Sequence, residues 1–172
     1  SLITSLVASI AYFKSANAII PEEANSWRKI ARISFIIDAI SVFAIFAIIY
    51  FIISNHFFEY SYAWNHSDKS LEPKYLLSSI WEGQEGSFLL WAFWHAVLGL
   101  VLMRTAKKWE APVMSVISFA QVCLSTMILG IYIFDLKLGN NPFLLLRDSG
   151  VMAPENAPAF YSGGVLREDY LQ

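Results

Sequence analysis

Four apolar blocks follow one another along this chain, at residues 2–13, 33–53, 87–103 and 112–134, each set off by a polar stretch. At 1.5 Å per helical residue, the last three are long enough, or nearly so, to cross about 30 Å of hydrocarbon. The first is too short. It opens on Ser1 in mid-pattern, with no Met and no basic lead-in, and reads as a helix whose beginning is missing. The pattern predicts an all-α integral membrane protein, a bundle of about four transmembrane helices with the first truncated. Pro112 suits the first turn of the fourth helix, where a missing N–H costs nothing. Asn25 and Ser26 offer caps ahead of the second.

The polar stretches differ in charge, and the difference orients the bundle. Residues 14–32 carry Lys14, Arg28, Lys29 and Arg32, and residues 104–111 carry Arg104, Lys107 and Lys108. Residues 54–86 are mostly acidic, with Glu59, Asp68, Glu72, Glu82 and Glu85 against Lys69 and Lys74. Positive-inside bias puts 14–32 and 104–111 in the cytoplasm, and 54–86 and the tail 135–172 outside. The two basic links agree with each other across an even number of crossings.

Composition fits the same class. The chain has 172 residues, 56% of them hydrophobic and only 15% charged, which is too apolar for a soluble domain of this size. A net charge of −2 argues against nucleic acid as a partner; the bilayer is the expected environment. The single cysteine, Cys123, excludes an internal disulfide and any CxxC spacing, and reads as packing within its apolar run. The tail after the fourth block, with Pro154, Pro158, Gly163 and Gly164, reads as loop, with a helical turn around residues 143–147.

Chemistry concentrates in the outside stretch. Tyr60, Tyr62 and Trp64 alternate, as in a short extended segment or an interfacial aromatic belt. His66 lies among the turn formers Asn65, Ser67 and Asp68 and is able to bind a metal, titrate or cap a helix. No second His or Cys stands beside it at metal-ligand spacing. Then comes Trp81-Glu82-Gly83-Gln84-Glu85-Gly86-Ser87-Phe88-Leu89-Leu90-Trp91. Gly83 and Gly86 permit tight turns and close backbone approach, while Glu85 and Ser87 suit the start of a helix. Trp81 and Trp91 frame a ledge with aromatic faces for a flat apolar ligand. Within the membrane, His95 is expected to bond to another helix or to ligate heme iron, Asp38 to pair with Arg32 or face the bundle interior, and Gln121 to join helices.

The stretch 81–91 resembles the W-x-G-x-E-G-S-x-L-L-W signature of the CcmF family of heme lyases, with a relative in nitrite reductase maturation. The matching positions are Trp81, Gly83, Glu85, Gly86, Ser87, Leu89, Leu90 and Trp91. Asn65-His66-Ser67 resembles the family's H-S segment, and Asn141-Pro142-Phe143 its N-P-F segment. The resemblance implies the N-terminal portion of a heme lyase of the bacterial cytoplasmic membrane, which helps attach heme to apocytochrome c on the outer, periplasmic face. It implies heme as cofactor, with a CcmE-type heme chaperone and CcmH/CcmI-type proteins as partners. His66, Trp81, Glu85 and Trp91 stand as candidate cofactor contacts on the residues themselves, since the family motif assigns no heme-ligand role to His66 or His95. The family's main ligands, histidines on outside loops beneath a tryptophan-rich WWD segment and two transmembrane histidines, are expected outside this chain, as are the H-P-P and WWD motifs, so the fragment alone is not expected to be catalytic. The rival reading is a polytopic transporter or respiratory-complex subunit in which Asp38, His95 and Glu85 form a proton or ion path.

Overall fold

Apolar periodicity and backbone breakers together set the helices. The computed structural model describes residues 1–66, 75, 78–133, 136–148, 161–162 and 165–166. Helix α1 spans Leu2–Asn17, α2 Pro21–Ser54, α3 Ser61–His66, α4 Gln84–Thr105 and α5 Glu110–Leu129; a 3-10 turn, Lys107–Trp109, leads into α5. Three segments are long and apolar enough to cross a membrane: α2, α4 and the 3-10 turn with α5. That is the signature of a membrane-embedded chain. α1 has 16 residues and falls short of spanning length.

The first link is much shorter than the charges suggest. α1 runs to Asn17 and α2 begins at Pro21, so most of 14–32 is helix. Lys and Arg do not break helices; Pro21, fixed in φ and lacking an N–H, sets the start. Glu22 and Glu23 then favour the positive end of the helix dipole. Asn25 and Ser26 therefore lie inside α2 and cap nothing. Ser26 Oγ donates instead to the Glu22 carbonyl at 2.9 Å.

The fourth helix also ends before its apolar block does. Gly130, at φ 67°, takes the left-handed conformation that stops α5 at Leu129. Ile131–Ile133 then pairs antiparallel with Leu136–Leu138 as a small hairpin, β1–β2, in register Ile131↔Leu138. Two β-branched residues flanking Tyr132 favour strand over helix, so apolarity continues while helicity stops. A second minimal pair, β3 (Tyr161–Ser162) and β4 (Val165–Leu166), lies in the tail. Pro112 sits in the first turn of α5, and the turn expected at 143–147 is a 3-10 turn at Leu146–Asp148. The tail positions Pro154, Pro158, Gly163 and Gly164 lie outside the described residues, as do Ser67, Asp68, Lys69, Glu72 and Lys74.

α1 packs against α2 and α5, and α4 against α2 and α5. The short links make consecutive helices antiparallel neighbours. One buried cluster, with Ala8, Ala11, Tyr12, Phe35 and Met114, lies toward the α1–α2 link. The Phe35 ring fits against Gly99, where a Cβ would collide with it; small residues allow such close helix approach. The other cluster, with Ile49, Ile53, Tyr62, Ile80 and Leu89, lies toward α3. Apolar side chains elsewhere point outward (Ile33, Ile40, Trp94 and Val116 among them), as lipid-facing helices require.

Candidate functional site

The α3 end of the bundle gathers three pieces that are far apart in sequence. α2 ends at Ser54, and His56 follows in the left-handed conformation at φ 53°, turning the chain back over the helix ends. Tyr60 and Tyr62 are not on an extended segment: Ser61–His66 is one and a half turns of helix. Tyr60 alone makes a bridge, to Leu145. On a helix, positions four apart share a face, and Tyr62 and His66 stack obliquely with ring centroids 4.7 Å apart.

The glycine-rich turn closes against that face. The Tyr62 hydroxyl donates to the Ile80 carbonyl. A Cβ on Gly86 would collide with both of those groups, and a Cβ on Gly83 would come within 2.6 Å of His66 Nε2. Gly86 is thus held to glycine by the Ile80 backbone as well as by Tyr62 of α3, while Gly83 lies against the His66 ring of α3. Gly83 is the residue preceding α4, and no side chain caps that helix. Ser87 Oγ donates to the Trp81 carbonyl at 2.9 Å rather than to a free N–H, which pins the turn to the helix it starts. Glu85 lies in the first turn, where its charge suits the dipole. Burial, then the nearby Glu85 carboxylate, hold the Tyr62 phenol above its ordinary value of 10.0.

The third piece is the corner after β2. Asn141 Oδ1 accepts from the Phe143 N–H at 2.9 Å, an Asx turn that Pro142 stiffens. The Phe143 ring packs on the cluster holding Tyr62, Ile80 and Leu89. The Ser61 N–H donates to the Leu144 carbonyl at 2.9 Å and the Leu146 N–H to the Glu59 carbonyl at 2.8 Å. The segments around His66, Gly83 and Phe143 therefore form one packed end of the bundle.

The remaining sequence candidates are placed differently. Trp81 and Trp91 are both exposed, and Trp91 lies about two turns into α4, on the outer surface. They do not close over His66 as a pocket. His95 Nδ1 pairs at 2.8 Å with the carbonyl of Trp91, on its own helix, and bonds to no other helix among the described residues. Cys123 faces outward rather than into the packing. Asp38 is fully buried and accepts from Gln121 Nε2 at 3.2 Å and Thr4 Oγ1 at 3.5 Å, joining α1, α2 and α5. Arg32 pairs with Glu110 instead of Asp38, through two bonds of 2.6 Å. Neither Glu110 nor the structural role of Tyr62 was marked by the sequence pattern. The Tyr62–His66 spacing of four was the available signal, readable only once 61–66 is known to be helical.

The His66 ring lies between Tyr62 and Gly83. Among the described residues no group of three or more His, Cys, Asp or Glu converges on one point. Comparison with protein-family models, with curated proteins and with solved structures gave no match. The fold and the gathered end define a helical membrane protein with a preformed surface at one end of its bundle.

Proposed function

We propose that this chain is the N-terminal membrane portion of a cytochrome c maturation protein of the heme-lyase type, set in the bacterial cytoplasmic membrane with 54–86 and 135–172 on the outer face. One observation carries the reading. The three stretches that resemble family motifs (around His66, 81–91 and 141–143) pack together at one end of the bundle. In this reading the end is a rigid frame. It presents the His66 edge and the exposed Trp81 to a CcmE-type heme carrier, to apocytochrome c and to CcmH/CcmI-type proteins, while the principal heme ligands belong to sequence outside this chain.

The test is made on the full-length protein in its own membrane. His66→Ala and Glu85→Gln are each expected to lower the yield of heme-stained cytochrome c while leaving the protein's membrane level intact. Unchanged yield in both variants would remove the functional role of this end. A full-length protein with no Soret absorbance when purified would count against the heme reading altogether.

The transporter reading has one observation in its favour, the buried Asp38 carboxylate between α2 and α5. It requires Asp38 to connect with His95 and Glu85. His95 bonds its own helix and Glu85 lies at the bundle end, so the geometry favours the frame.

A further inference from the structure

The opposite end of the bundle carries a second constructed surface. An apolar groove of about 450 Å³ runs between α1 and α5, with Ile10 and Phe13 on one side and Val116 and Phe119 on the other. The one charged residue lining it is Lys14. A further hollow of about 540 Å³ shares Phe13 and Lys14 with the groove and continues over the α1–α2 link to Asn17, Ile20 and Glu23. An apolar channel along the helices thus opens, at their ends, into a hollow bearing one cation and one carboxylate.

Those two charges are held but not joined. Lys14 Nζ sits 4.4 Å from the centre of the Trp27 ring, a cation–π contact. Trp27 Nε1 donates to Glu23 Oε1 at 3.3 Å. The indole therefore fixes both groups, one over its face and one at its edge. Among the described residues no carboxylate lies within 4.0 Å of Lys14. A hollow that displays opposite charges side by side, next to a lipid-facing groove, is complementary to a ligand with the reversed pair of charges and an apolar chain.

We infer that this is a binding site for a zwitterionic phospholipid with a primary ammonium headgroup, of the phosphatidylethanolamine type. The acyl chain lies along Ile10, Phe13, Val116 and Phe119, the phosphate meets Lys14, and the ammonium meets Glu23. An anionic headgroup without the ammonium would bring its charge to Glu23 unrelieved. A choline headgroup has no N–H to donate to the Glu23 carboxylate, and charge-assisted hydrogen bonds are the stronger kind.

The test uses the whole chain, purified in detergent, mixed with equimolar dioleoyl phosphatidylethanolamine, phosphatidylglycerol and phosphatidylcholine, and read by native mass spectrometry. Phosphatidylethanolamine is expected to be retained about fivefold over the other two, the scale of one net hydrogen bond between its ammonium and Glu23. Lys14→Ala should lower its retention by about the same factor, and Lys14→Arg should keep it. Glu23→Gln should abolish the preference over phosphatidylglycerol without abolishing binding. Equal retention of the three lipids, phosphatidylglycerol retained best, or a preference unchanged by Glu23→Gln would each overturn the site. Circular dichroism checks that the variants keep their helices; if Lys14→Ala does not, Lys14→Arg and Glu23→Gln decide.

Discussion

At the scale of single residues, two glycines and a tyrosine decide the candidate site. Gly86 faces the Ile80 carbonyl and the Tyr62 hydroxyl, and the carbonyl is backbone that cannot move aside. Gly86→Ala is therefore expected to cost about 1–3 kcal/mol, the usual penalty for overfilling a packed site, measured by denaturation in detergent micelles. Gly83 faces the His66 imidazole, a side chain able to turn, so Gly83→Ala should cost less stability while displacing His66. Tyr62→Phe removes one donor and leaves the Ile80 carbonyl without it, a loss of about 1–3 kcal/mol. The same residue predicts an alkaline dependence. Its folded phenol titrates above the ordinary 10.0, so the folded state holds the proton more tightly than the unfolded chain. Its contribution is constant below pH 10 and falls as pH rises beyond it, and the Tyr62→Phe protein should lose this part of the decline.

At the scale of helices, polar contacts lock packing that apolar surface alone leaves loose, because lipid is as apolar as the helix faces it competes with. Glu110 on α5 is buried, its side chain 3% exposed, while Arg32 on α2 is 46% exposed. Solvent screens the arginine side of the pair, so Glu110→Gln should cost about 1–3 kcal/mol. Arg32→Ala should cost more than the double change with Glu110→Gln, because the single change strands a buried carboxylate. Unfolding midpoints in micelles give the comparison. Asp38 and Gln121 join the same two helices near mid-bundle. Gln121 Oε1 has no partner there, and an asparagine amide at position 38 would be able to donate to it. Asp38→Asn is thus expected to be near neutral, and Asp38→Leu destabilising. The helices themselves were readable from the sequence, since their apolar blocks are long. Their ends do not follow the apolar blocks, because Pro21 and Gly130 act on the backbone whatever the hydropathy around them.

At the scale of the whole molecule, the two ends of the bundle have different characters. One gathers α3, the glycine turn and the Asn141-Pro142-Phe143 corner; the other carries Lys14, Arg32 and the short basic links. The charge pattern predicts that they lie on opposite faces of the membrane. In a Cys123→Ala background, Asn65→Cys and Asn140→Cys should react with an impermeant maleimide added outside intact cells. Lys107→Cys should react only after permeabilisation. Labelling of position 65 or 140 only after permeabilisation would reverse the orientation and with it the proposed function.

The sequence by itself determined that the chain is helical and apolar enough for a membrane, because hydrophobic length is a local property that no tertiary contact can alter. It also marked the residues of the 81–91 stretch. Only the tertiary structure decided why they matter together. Gly86 is needed because the Ile80 carbonyl and the Tyr62 hydroxyl lie against it, Gly83 sits against the His66 ring, and Phe143 joins them through packing between segments far apart in the chain. The structure alone also assigned partners to the buried carboxylates, Gln121 to Asp38 and Arg32 to Glu110. Which helix face meets which is fixed by the packing of whole helices against one another, and neither spacing nor composition records it.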